Sequence, residues 1–164
     1  MKQFIALYFL FLVILFVFFY APTSIISTGV NQAQTALTLD ALDIFLEPKQ
    51  LDGIDIWINP HYKIIISQAC NGIIPILFLW ASILAYPSIW KRKIFWMLFG
   101  YVVFFVMNVI RILLVVYVTQ EGAGKNEFHW SHDIVGNSLL MITGLILFVS
   151  FIRSSSTKLK NFES

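Results

Sequence analysis

Charge is scarce in this sequence. Only 12% of its 164 residues are Asp, Glu, Lys or Arg, against about 25% in a soluble domain. That excludes an ordinary water-soluble globule. Cysteine is scarcer still: Cys70 stands alone. A single thiol rules out an intramolecular disulfide and any cysteine-cluster metal or iron–sulfur site. It leaves three roles for Cys70: a buried space-filler, a reactive thiol or an intermolecular bridge. Internal repeats and low-complexity segments are also missing.

Apolar residues are there instead, at 59% of the chain, with a mean hydropathy of +0.80. The class is an integral membrane protein, and the length fits one domain, residues 1–164. The fold class expected is an all-α membrane protein with four transmembrane helices. They fall at about 4–20, 64–86, 94–119 and 134–152, each near or above the ~20 residues that cross ~30 Å of hydrocarbon. A signal peptide competes for the first run. Its n-region holds one lysine, and no small-residue cleavage site is apparent, so a retained anchor is expected.

Charge orients these spans. Lys2, Lys91, Arg92, Lys93, Arg153, Lys158 and Lys160 fall on one side. Asp40, Asp43, Glu47, Asp52, Asp55, Glu121, Glu127 and Asp133 fall on the other. The positive-inside rule then puts both termini in the cytoplasm of a multi-pass inner-membrane protein. The outer loop, 23–67, is long enough to carry structure of its own. Val30, Ala33, Leu37, Ala41, Ile44 and Phe45 recur at helical spacing and predict an amphipathic helix near the outer surface. "IDIWI", a turn at Asn59-Pro60 and "YKIIIS" predict a short β-hairpin leading to Cys70. The stretch from about 154 to 164 reads as a disordered tail.

Ionisable groups inside a span are costly and mark sites by default. Arg111 is the clear case. It lies about eight residues, on the order of 12 Å, below the outer end of its span. Snorkelling and bonding to carbonyls are the plain alternatives. Asn108, three residues earlier, shares its helix face and is able to aim the guanidinium or to act as helix–helix glue. His129 and His132 sit three apart at the start of the last span. That spacing permits a metal pair, but no third ligand is evident, so no metal and no cofactor is expected. His61, beside Pro60, reads as a loop residue.

Topology places Cys70, Arg111 and His132 on three helices in one leaflet. Together they allow acyl transfer. His132 takes the thiol proton and returns it to the leaving amine. Arg111 donates to the oxyanion or stabilises the thiolate. Gly72 permits close backbone approach to Cys70. Asp133 and Glu127 are candidates to orient an imidazole.

"ACNG" at 69–72, "NVIR" at 108–111 and "HDIVG" at 132–136 resemble the exosortase/archaeosortase family, in its short four-helix form. The ordered motifs A-C-x-G, N-x-x-R and H-x-x-x-G carry the resemblance, which covers about residues 53–151. It implies a membrane-embedded cysteine transpeptidase acting at the extracytoplasmic face. Cys70 would be the nucleophile, Arg111 the cationic residue and His132 the general acid/base. Gly136, four residues after His132, selects it over His129. Implied partners are exported proteins ending in a motif, a hydrophobic helix and a basic tail, together with membrane lipid and no nucleic acid. Gln68 and Asn71 depart from the family's usual Glu and Ser, which bears on the substrate. The contrasting reading is a non-catalytic small membrane subunit or assembly factor of an export system. A solute carrier or channel ranks below both, because no inverted repeat is present.

Overall fold

The computed structural model of the protein describes residues 2–21, 24–66, 68–122 and 136–160. In chain order these form α1 (Lys2–Phe19), α2 (Ile25–Asp43), β1 (Leu51–Asp52), β2 (Asp55–Asn59), β3 (Tyr62–Ile65), a 3-10 turn (Gln68–Asn71), α3 (Ile73–Ala85), α4 (Trp90–Gly122) and α5 (Asn137–Lys160).

Three helices are long and apolar enough to cross a membrane: α1, α4 over Trp90–Gln120, and α5 over Asn137–Ser155. Their apolar side chains face outward as well as inward, as expected of helices surrounded by lipid. Ile5, Phe9, Val13 and Val17 of α1 are exposed, and Leu15 is its buried residue. Leu15 packs against Leu77 and Ala81 of α3. Phe16 meets Phe78 edge-on at 5.7 Å between ring centroids. On the other side of α3, Ile76, Leu79 and Ile83 join Phe104 of α4 and Leu140, Leu147 and Phe151 of α5.

The second expected span, 64–86, is not one helix. Ile64 and Ile65 belong to β3, and Ile64, Ile65 and Ile66 alternate buried, exposed, buried. That is strand periodicity. The helical part begins only at Ile73, after Gly72 takes a left-handed φ of 69°. The 13 residues of α3 extend about 20 Å at 1.5 Å each, short of the ~30 Å hydrocarbon core.

The hairpin forms as expected. Ile56 pairs with Ile64 across β2 and β3, and the His61 amide bonds Asn59 Oδ1 in the turn. A third strand, β1, pairs antiparallel with β2 at the edge. Ile56, Ile64 and Ile66 bury against Val109, Ile112, Val115 and Val116 of α4 and Leu42 of α2. The sheet is thereby fixed over the Arg111 half of α4.

The helix expected between the first span and the sheet is α2, and the face it turns inward is largely polar. Ser27, Gln34, Thr38 and Leu42 are buried, while Leu37 is 50% exposed and Ile25 90%. Ile44 and Phe45 lie past the helix end and are exposed. The polar stripe turns inward because its groups find partners there. Gln34 Oε1 accepts from Tyr101 Oη of α4 at 2.6 Å. Ser24 caps the helix, its oxygen accepting from the Ser27 amide. An apolar outer face over a polar inner one suits a helix bordered by lipid, where hydrogen bonds rather than apolar burial hold helices together.

The tail also differs from expectation. Residues 154–160 continue α5 as helix rather than as a disordered segment. Ser155 is buried, and its Oγ lies 3.4 Å from Ser88 Oγ, so the first turn past the expected boundary is held by packing.

Candidate active site

Cys70 lies in the 3-10 turn between β3 and α3, and is half-buried. The turn is held from both ends. Before it, the Ile66 amide donates to the Ile54 carbonyl at 2.8 Å, tying the strand exit to the sheet. After it, Gly72 reverses the backbone. A Cβ on Gly72 would come within 2.8 Å of Asn108 Cγ, so the glycine lets the turn rest directly on α4.

Asn108 and Arg111 share one face of α4 and are buried, at 0% and 4% exposure. Asn108 Nδ2 donates to the Cys70 carbonyl at 2.8 Å. Its Oδ1 accepts from Arg111 Nη1 at 3.3 Å. The amide thus bridges the cysteine backbone to the guanidinium. Its orientation is fixed, because a carbonyl needs a donor and a guanidinium needs an acceptor. Cys70 and Arg111 then line one small depression, walled by Ile64, Ile66, Ile112, Val115 and Val116. These walls are aliphatic, and a low-dielectric surround strengthens the field of a buried cation.

Gly136 enters α5 against the same arginine. A Cβ there would come within 2.8 Å of Arg111 Nε. His129, His132 and Asp133 lie outside the described residues. Among the described residues no three His, Cys, Asp or Glu side chains come together in a way that could hold a metal.

Arg111 also closes one end of a wider groove of about 630 Å3 between α3 and α5. Pro75, Phe78, Phe104, Met141 and Phe148 line it. It is mostly apolar, with the guanidinium and Asn137 as polar groups at one end.

Asn71 is fully buried, on the side of the turn facing α2. Its Nδ2 donates to Thr35 Oγ1 at 2.8 Å and to the Asn31 carbonyl at 3.3 Å. Its own carbonyl accepts from Gln34 Nε2 at 3.3 Å. Gln68 opens the 3-10 turn. Asn31, Gln34, Thr35 and Tyr101 therefore support the cysteine turn, and none was singled out from the sequence. A signal was present: Ser27, Asn31, Gln34 and Thr38 follow a helical spacing as regular as that of the apolar residues.

The family model of transmembrane exosortases matches residues 1–149. No curated protein and no solved structure matches the chain.

Proposed function

The chain belongs to the transmembrane exosortase family, and on that premise we propose that it is a membrane-embedded cysteine protease and transpeptidase. The observation that carries the proposal is the shared depression of Cys70 and Arg111, with Asn108 bonded to both.

In this reading the Cys70 thiol gives its proton to His132, and the thiolate attacks the scissile carbonyl. Negative charge builds on that carbonyl oxygen. Arg111 donates to it, a larger stabilisation in an apolar wall than in water. The C–N bond then breaks, His132 returns the proton to the leaving amine, and a thioester to Cys70 remains. A nucleophile resolves the thioester and restores the thiol. Asn108 aims two groups at once, the cysteine backbone and the guanidinium.

The substrates in this reading are exported proteins ending in a recognition motif, a hydrophobic helix and a basic tail. The site faces the extracytoplasmic side of the inner membrane. Lys91, Arg92 and Lys93 support that orientation, because they sit at the end of α4 away from Arg111, and basic loops stay cytoplasmic.

The test is processing of a tagged substrate tail by the full-length protein in lipid. Cys70→Ala, Arg111→Ala and His132→Ala should each reduce processing at least 100-fold while the protein still inserts. Undiminished processing by Cys70→Ala would refute the assignment and leave the thiol as packing in a non-catalytic subunit.

A further inference from the structure

One edge of the sheet borders the site. β3 pairs with β2 on one side, and among the described residues no strand pairs with its other side. The ladder fixes which groups face that side. The Ile66 amide donates to the Ile54 carbonyl, toward β2, and Ile64, two residues earlier, lies opposite Ile56. The Trp57 amide, opposite Lys63, turns the other way and donates to the Gln50 carbonyl at 2.8 Å. Successive residues of an antiparallel ladder alternate in this way. The amides and carbonyls of Lys63 and Ile65 therefore point outward from the sheet.

Such an edge is a template for another strand, and proteins commonly blunt it with proline or lysine. No proline stands in β3. Its lysine is drawn back across the sheet. Lys63 Nζ bonds Asp55 Oδ2 and lies 5.4 Å from the ring centroid of Trp57, both on β2. The side chain of Ile65 is exposed. β3 is also the strand that leads to Cys70. From the sheet and its exit, only Ile64 and Ile66 line the depression shared by Cys70 and Arg111.

We propose that the outer edge of β3 binds the exported substrate as an added strand, formed by the extended segment just ahead of its hydrophobic helix. The inference rests on the reading of Cys70 as the nucleophile and names how its substrate is held. Main-chain hydrogen bonds supply the affinity in this mode, and alternate side chains the specificity. Substrate side chains on the same face as Ile64 and Ile66 turn toward the depression, and those between them lie beside Ile65 on the open face. The added strand runs parallel to β3. β3 runs from the Asn59-Pro60 turn toward Cys70 and α3, and the substrate runs likewise from its exported domain toward its hydrophobic helix. Past Ile66 the scissile carbonyl reaches the thiol. Beyond it the chain meets the apolar groove that Arg111 closes at one end.

The test uses full-length Cys70→Ala protein in nanodiscs and the tagged tail that the wild type processes. Residues of the tail ahead of its hydrophobic helix are N-methylated one at a time, and binding is read by fluorescence anisotropy. N-methylation removes one main-chain donor and keeps every side chain. Affinity should fall about tenfold at every second residue and change less than about twofold at those between. Losses at consecutive residues, or none, overturn strand addition. On the protein, Ile65→Pro removes an outward amide and leaves the bonds to β2 intact. It should weaken binding about tenfold, and Ile65→Ala, which keeps the amide, less than about twofold. Equal losses in the two variants overturn main-chain recognition. Should Ile65→Pro fail to fold, the N-methyl scan decides alone. Photo-crosslinkers moved along the tail toward its hydrophobic helix should shift their adducts from Lys63 toward Ile66. The reverse order overturns the parallel pairing. Processing that survives Cys70→Ala refutes the parent reading, and delivery to the thiol falls with it whatever the scan shows. Processing that needs Cys70, with no alternation in the scan, overturns this inference alone.

Discussion

Asn108 holds the backbone of Cys70, its Nδ2 donating to the Cys70 carbonyl at 2.8 Å from a side chain with no solvent exposure. Losing that donor leaves a buried carbonyl unsatisfied, at about 1–3 kcal/mol. Asn108→Ala, and Asn108→Asp, which keeps the size but removes the amide donor, should both slow substrate-tail processing by roughly 10- to 100-fold. Single-turnover kinetics on the tagged tail reads this. Wild-type rates in both variants would show that the bridge does not position the thiol.

Gly72 and Gly136 should respond differently to alanine. Gly72 has a left-handed φ, and its added Cβ would strike the buried side chain of Asn108. Left-handed backbone costs an alanine about 1–2 kcal/mol before the clash is counted. Gly72→Ala should therefore unfold at a clearly lower temperature in detergent. The Cβ of Gly136→Ala would meet Arg111 within a flexible side chain. That chain can give way, so stability should change little, while the displaced guanidinium reduces processing at least tenfold. Equal loss of stability in the two variants would contradict this assignment.

Gln34 and Tyr101 couple α2 to α4 through the 2.6 Å bond. A double-mutant cycle on Gln34→Leu and Tyr101→Phe, followed by reversible unfolding in mixed micelles, should give a favourable coupling of about 0.5–1.5 kcal/mol, the range of hydrogen bonds between membrane helices. Zero coupling would mean that the polar stripe of α2 faces α4 without holding it.

The outward face of α2 should meet lipid. In a Cys70→Ala background, a fluorophore on Ile26→Cys or Leu37→Cys should be quenched strongly by brominated lipid and weakly by a soluble nickel chelate. The same label on Asp43→Cys, at the charged end of the helix, should show the reverse. Chelate quenching at all three positions would return α2 to a water-exposed surface.

How far the sequence carries can be followed along particular elements. The runs that became α1, α4 and α5 were legible because each is long, apolar and bounded by charge or proline. The hairpin was legible from its alternation and the Asn59-Pro60 turn. The helix start at Ile73 was not. Ile64, Ile65 and Ile66 run into the apolar residues of α3 with no charge between them, and a continuous apolar run does not distinguish strand from helix. The break lies in the φ of Gly72, and glycine adopts either hand freely. The helical spacing of α2 was legible, but the inward turn of its polar stripe was not, because its partners Asn71 and Tyr101 lie far along the chain.

The sequence by itself determined the membrane class, because 12% charge and long apolar runs cannot build a water-soluble core. It also marked Cys70, Asn108 and Arg111, since a lone thiol and a charge within an apolar span stand out against their surroundings. Only the tertiary structure decided that one asparagine joins the other two, and that a polar helix face closes over the back of the cysteine turn. Those relations depend on hydrogen bonds between residues 36 to 38 positions apart. Such bonds form only once the sheet and Gly72 have set the turn against α4, and no local pattern in the chain encodes that approach.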